Sequence, residues 1–171
     1  MKELPACLTC VNSEFLCSSC QEKLDSGEIT EFEIDLAKEL LQLEEEEPDK
    51  FGFLKDISFF KAIDYEDVII LVVGKKDKLK ITPELLNLIK TSYEIEAIIL
   101  IEKTKNPRAV VDNLISPSKS ISLNEIFLAT GDIEYKSVIP KEEKDNYLFT
   151  KEELEELIHE LTGNITRIEY Q

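Results

Sequence analysis

Residues 61–75 read KAIDYEDVIILVVGK. Val68 to Val73 is an unbroken apolar, mostly β-branched run, the pattern of a strand in the middle of a sheet. Residues 56 to 63 are strand-like too, and Asp64 to Asp67 supplies the polar turn between the two. Past Gly74, Thr82 followed by Pro83 predicts a helix N-terminus, with Leu85, Leu86, Leu88 and Ile89 on its buried side. Ala97 to Ile101 is a further buried strand. On the N-terminal side, Thr30 with Glu33 forms a capping box. Phe32, Leu36, Leu40 and Leu43, flanked by Ile34, Ala37 and Leu41, make a wide apolar stripe that predicts a helix over 31–45. The resulting order is helix, strand, strand, helix, strand.

That order recurs. Asn106 and Pro107 open a helix with Val110, Val111, Leu114 and Ile115 inside, ending near Pro117. Strands are expected at about 121–128 and 133–139, separated by the Thr130-Gly131-Asp132 turn. Thr150 and Glu153 form a second capping box for a helix that stops at Thr162-Gly163, and 165–170 closes the chain as a strand. Leu85 and Leu154, Leu88 and Leu157, Ile89 and Ile158, Ile99 and Ile168, and Ile101 and Tyr170 all stand 69 apart. The expected fold class is α+β: two such modules, each a three-stranded sheet with helices on one face, behind a small N-terminal cysteine segment.

The 171 residues include 36 Asp plus Glu against 20 Lys plus Arg, a formal charge of −16. Phosphate binding is carried by Lys and Arg, so a general grip on nucleic acid is excluded and any contact must be local. No apolar run approaches the roughly 20 residues of a bilayer crossing, and the N-terminus has no signal pattern, so a cytoplasmic protein with no membrane partner is expected. Residues 1–50 hold 14 of the acidic groups and only 4 Lys, whereas residues 51–104 are nearly balanced. The only basic cluster is GKKDKLKI, residues 74–81, with Lys75, Lys76, Lys78 and Lys80 around Asp77. A solvated loop explains it; a phosphate-facing loop is the competing reading. Glu44 to Glu47, followed by Pro48, puts four like charges against the negative end of a helix dipole. Fraying and a linker over about 44–55 are therefore expected. The expected domains are 1–29, 30–104 and 105–171.

Cys7, Cys10, Cys17 and Cys20 form C-x2-C-x6-C-x2-C, with no cysteine after them. Two close pairs supply the tetrahedral thiolate set that Zn²⁺ prefers, and four protein ligands close the shell against catalysis. Iron also accepts four thiolates. Disulfides and a redox C-x-x-C fit less well, because neither a secretory signal nor a βαβ context accompanies the cysteines. Metal binding by so short a segment would be folding free energy. His159 lies off the Leu154, Leu157, Ile158, Leu161 stripe and reads as an exposed residue.

CLTC and CSSC, LDSGEIT leading into EIDLAKEL, KAIDYEDVIILVVGK and the closing EELIHELTGNITRIEY together span nearly the whole chain. On these stretches it resembles the archaeal NusA-like transcription factors, which carry a cysteine knuckle before tandem KH domains. The resemblance implies an RNA-binding protein associated with the transcription machinery. A working KH fold clamps RNA with a G-x-x-G loop, and this sequence has none. The lysine loop replaces the clamp in the first module. In the second, residues 140–146 (PKEEKDN) bring Glu142, Glu143 and Asp145, which would repel phosphate.

The expected function is a non-enzymatic accessory factor of archaeal transcription or RNA metabolism, with weak RNA contact through Lys75, Lys76, Lys78 and Lys80. The competing expectation is a protein-interaction adaptor that docks an RNA polymerase subunit or a ribosomal protein without RNA. No Gly-rich phosphate loop, G-x-S-x-G or H-E-x-x-H appears, so no catalytic residue is named.

Overall fold

Val68–Val73 forms β2, and all six of its residues are buried. It sits in the middle of a three-stranded sheet, antiparallel to β1 (Phe59–Tyr65) and parallel to β3 (Ala97–Glu102). Glu66, at φ 50°, makes the tight turn between β1 and β2. In this computed structural model, which describes residues 1–13 and 15–171, the chain divides into two compact units, Met1–Lys103 and Thr104–Gln171. The fold class is α+β, as the hydrophobic periodicities predict.

The first unit begins with two short helices, α1 (Leu8–Asn12) and α2 (Ser18–Asp25), followed by α3 (Glu31–Glu46). The capping box at α3 is present in full: Thr30 accepts the Glu33 amide, and Glu33 accepts the Thr30 amide. α5 (Pro83–Tyr93) crosses from β2 to β3 with Thr82 as its cap. Leu36, Leu40, Leu85 and Ile89 pack with Ile69 and Leu71 in one core, and Ile98 and Leu100 of β3 lie against it. Cys10, Val11 and Cys20 belong to that same core. The cysteine segment is therefore built into the first unit rather than standing apart as a domain over 1–29.

The expected linker over about 44–55 is not a linker. α3 runs on through Glu46, and Pro48 immediately starts α4 (Pro48–Phe51), which continues as a 3-10 turn over Gly52–Asp56. Phe51 and Leu54 are each 1% exposed. Glu44 is buried as well and meets the Met1 ammonium at 2.7 Å. The repulsion among the glutamates is outweighed by the apolar side chains that follow them; burying one Phe or Leu is worth roughly 1.5–3 kcal/mol.

In the second unit α6 (Pro107–Leu114), β4 (Ser122–Phe127), β5 (Ile133–Ile139), α7 (Lys151–Thr162) and β6 (Thr166–Tyr170) repeat the order. β4 pairs antiparallel with β5, and β5 parallel with β6, as in the first sheet. The capping box of Thr150 and Glu153 forms, and Gly163 ends α7 at φ 76°. The 69-residue correspondence holds in the helices: Leu85, Leu154, Ile89 and Ile158 are all buried. It slips in the last strand. Ile98 and Leu100 face the core of their unit, whereas the residues 69 further on, Arg167 and Glu169, are exposed. A one-residue shift turns a strand over, so the pairing of Ile99 with Ile168 does not hold in space.

Candidate metal centre

Each cysteine pair is organised by a helix start. Cys7 is the N-cap of α1 and Cys17 the N-cap of α2, both in extended backbone (ψ 150° and 163°). The second cysteine of each pair then falls three residues on, in the first helical turn. Both sulfurs of a pair are brought to the helix N-terminus, where unpaired amides favour negative charge. The pairs also cross-link. The Cys17 amide donates to Cys10 Sγ at 3.1 Å, and the Cys7 amide to Cys20 Sγ at 3.4 Å. All four Sγ atoms lie within 4.8 Å of one another.

This arrangement fits a metal. Tetrahedral coordination with sulfur at about 2.3 Å places ligand atoms roughly 3.8 Å apart, inside the observed spread, and amide donors aimed at sulfur stabilise thiolates. Without an ion the four thiols compete for protons. The Cys20 amide and the neighbouring Cys10 draw Cys17 down to about 7. Cys7 is lowered by its contacts with Cys10. The Cys17 amide pulls Cys10 down, but the Cys7 thiol and burial prevail and push it up to about 12. Cys20 is held by the Cys7 amide yet raised on balance, burial leading. Cys10 and Cys20 are buried while Cys7 and Cys17 reach the surface. The connection between the pairs includes Glu14, which lies outside the described residues.

The lysine loop is held by its one acid. Asp77 Oδ2 accepts the Ser58 amide at 3.0 Å, and Oδ1 meets Lys80 Nζ at 2.7 Å. A Cβ on Gly74 would collide with that carboxylate, which would have to shift off its Ser58 contact. Burial works to raise the Asp77 carboxyl, but Lys80 and the Ser58 amide together hold it below its ordinary value. Lys80 is therefore engaged with Asp77 and with the Asp56 carbonyl at 3.1 Å. Lys75 and Lys76 are exposed, and Lys78 is half-buried. Lys80 is exposed as well, with its ammonium held on Asp77.

In the second unit Glu142 and Asp145 are exposed and Glu143 is half-buried. Beside them lies a cleft of about 410 Å³ lined by Lys144, Tyr147, Lys151 and Tyr170 among others. Lys144 Nζ stands 5.2 Å from the Tyr170 ring centre. These residues are up to 26 positions apart and carry no common motif, so local sequence gave no sign of the cleft. His159 is exposed. Among the described residues no helix is long and apolar enough to cross a membrane.

No family model matches the chain, and no curated protein matches it. A solved structure described as "Crystal structure of APE1850" is similar over 72% of this chain and 94% of its own, at 14% identity and a TM-score of 0.49.

Proposed function

We propose that the protein is a non-enzymatic accessory factor of archaeal transcription or RNA metabolism, built from a structural Zn²⁺ knuckle and two KH-like modules that lack the G-x-x-G clamp. The observation that carries this reading is the set of four cysteines at two helix starts, built into the first of two units that share the same strand order and direction. Cys7, Cys10, Cys17 and Cys20 would hold the ion, which would supply folding free energy and no reactive position. Zinc is the ion of this reading, and iron, which four thiolates also suit, is its alternative. Native mass spectrometry and the visible spectrum separate the two: a colourless protein with one zinc per chain is expected.

RNA contact would centre on Lys75 and Lys76, with Lys78 and with Lys80, whose ammonium Asp77 holds, in support. Each phosphate neutralised steepens the log-log salt dependence by roughly 0.7 for a single strand. Binding of single-stranded RNA should therefore be weak, and its log-log salt slope should become shallower by roughly 1.4 when Lys75 and Lys76 become alanine. Equal slopes for wild type and variant would remove the RNA reading.

A second reading, a cytoplasmic adaptor for a basic polymerase subunit or ribosomal protein, is favoured by the charge of −16 and by the engagement of Lys80 with Asp77. A pulldown from native extract with and without nuclease separates the readings: nuclease-resistant protein partners support the adaptor.

A further inference from the structure

β4 is an outer strand of the second sheet, whose order β4-β5-β6 leaves its far side without a strand partner among the described residues. The Leu128 amide donates to the Asp132 carbonyl across the hairpin. In an antiparallel ladder hydrogen-bonded and non-bonded pairs alternate, so Leu123, Glu125 and Phe127 turn their N–H and C=O groups away from β5. Their side chains share a face with Ile133, Tyr135 and Ser137, the residues directly opposite them. The inner end of that face is closed, with Ser137, Ile139 and Ile168 at 0% exposure. Its outer end is open, with Phe127 74% and Ile133 42% exposed. The unpaired backbone edge and the uncovered apolar face therefore coincide.

We propose that β4 accepts an extended segment of a basic partner protein as a fourth strand, the segment carrying a Lys or Arg flanked at alternate positions by apolar residues. Glu125 sets this chemistry. A strand laid against β4 places side chains opposite Leu123, Glu125 and Phe127 on the shared face, so apolar groups suit the outer two and a cation suits the centre. Asp132 and Glu134 in the same hairpin, and the charge of −16, add to the attraction for a basic chain. The same residue opposes a second copy of this protein. Antiparallel self-pairing that sets Leu123 against Phe127 also sets Glu125 against Glu125, and like charges directly opposite are destabilising. The proposal names a surface for the adaptor reading and rests on it.

The test uses the full chain and a nine-residue blocked peptide of threonines with valine at positions three and seven and lysine at five. Its twin carries glutamate at five. The lysine peptide should slow hydrogen exchange at the Leu123, Glu125 and Phe127 amides and bind several-fold more tightly than its twin. Glu125→Lys should reverse that preference. Glu125→Pro, whose missing N–H faces outward and is tolerable on an edge strand, should abolish binding of both; Phe127→Ser, at an exposed position, is the substitute if it misfolds. Equal binding of the two peptides, protection away from β4, or no binding at millimolar peptide would overturn the proposal. So would a wild-type dimer in sedimentation that Glu125→Pro breaks. In the extract pulldown, partners retained by Glu125→Pro would exclude this surface while sparing the adaptor reading. Absence of nuclease-resistant partners from wild type would end the adaptor reading itself.

Discussion

The Glu33 carboxylate accepts the backbone amide of Ala62 at 2.8 Å, tying the first turn of α3 to β1. Its other oxygen accepts the Thr30 amide at 2.8 Å, so one buried side chain caps a helix and holds a strand. Glu33→Gln keeps one acceptor and turns an NH₂ donor toward the second amide, which should cost about 1–3 kcal/mol. Burial pushes the Glu33 carboxyl above its ordinary value of 4.5, against the pull of the Ala62 and Thr30 amides. A carboxyl raised by folding contributes stability that is whole below that ordinary value and declines as pH rises through the folded one. In urea unfolding, the stability gap between wild type and Glu33→Gln should narrow as pH rises from about 4.5 through the raised folded value.

Asp77 runs the opposite way. Its folded value lies below the ordinary 3.8, so its contribution is present above 3.8 and is lost as pH falls through the folded value. Asp77→Asn should destabilise by about 1–3 kcal/mol at neutral pH through the lost Lys80 and Ser58 contacts, and the gap should close in acid. Gly74→Ala should also destabilise, because its new Cβ meets the same carboxylate. The two substitutions act through one contact, so the double variant should lose less than the sum of the singles in a double-mutant cycle.

Phe51 and Leu54 distinguish a packed segment from a tether. Leu54→Ala should cost about 2–5 kcal/mol and Phe51→Ala about 3–5 kcal/mol, the range for emptied core positions. A tether would show changes within roughly 0.5 kcal/mol. Chemical denaturation decides between the two.

Metal removal should reach beyond the cysteines. Cys10 and Cys20 pack with Leu36 and Leu40, so chelation or Cys20→Ser should lower the unfolding midpoint and speed amide exchange in α1, α2 and α3 together. Exchange that rises in α1 and α2 alone would show an appendage, not a shared core.

Capping boxes at Thr30 and Thr150, the glycine stop at Gly163 and the Val68–Val73 strand were legible in the sequence, because each is set by neighbours within a few residues. Each cysteine pair was legible for the same reason: C-x2-C puts two sulfurs on one turn wherever the second cysteine enters a helix. Glu33 reaching Ala62, 29 residues away, was not. Nor was the packing of 44–55, where four glutamates suggested solvent and Phe51 and Leu54, a few residues on, found a core.

The sequence by itself determined the order of the elements, the two-fold repetition and the two cysteine pairs, all consequences of local periodicity and spacing. Tertiary structure decided which face each strand presents, how the cysteine turns join the first core, and that Asp77 accepts the Ser58 amide. It also decided that the unpaired edge of β4 falls beside Phe127 and Ile133. A strand's face depends on its register against a distant partner, and a carboxylate's role depends on which remote amide the fold brings within about 3 Å, as with Ser58 at Asp77 and Ala62 at Glu33. Neither is written in the residues on either side.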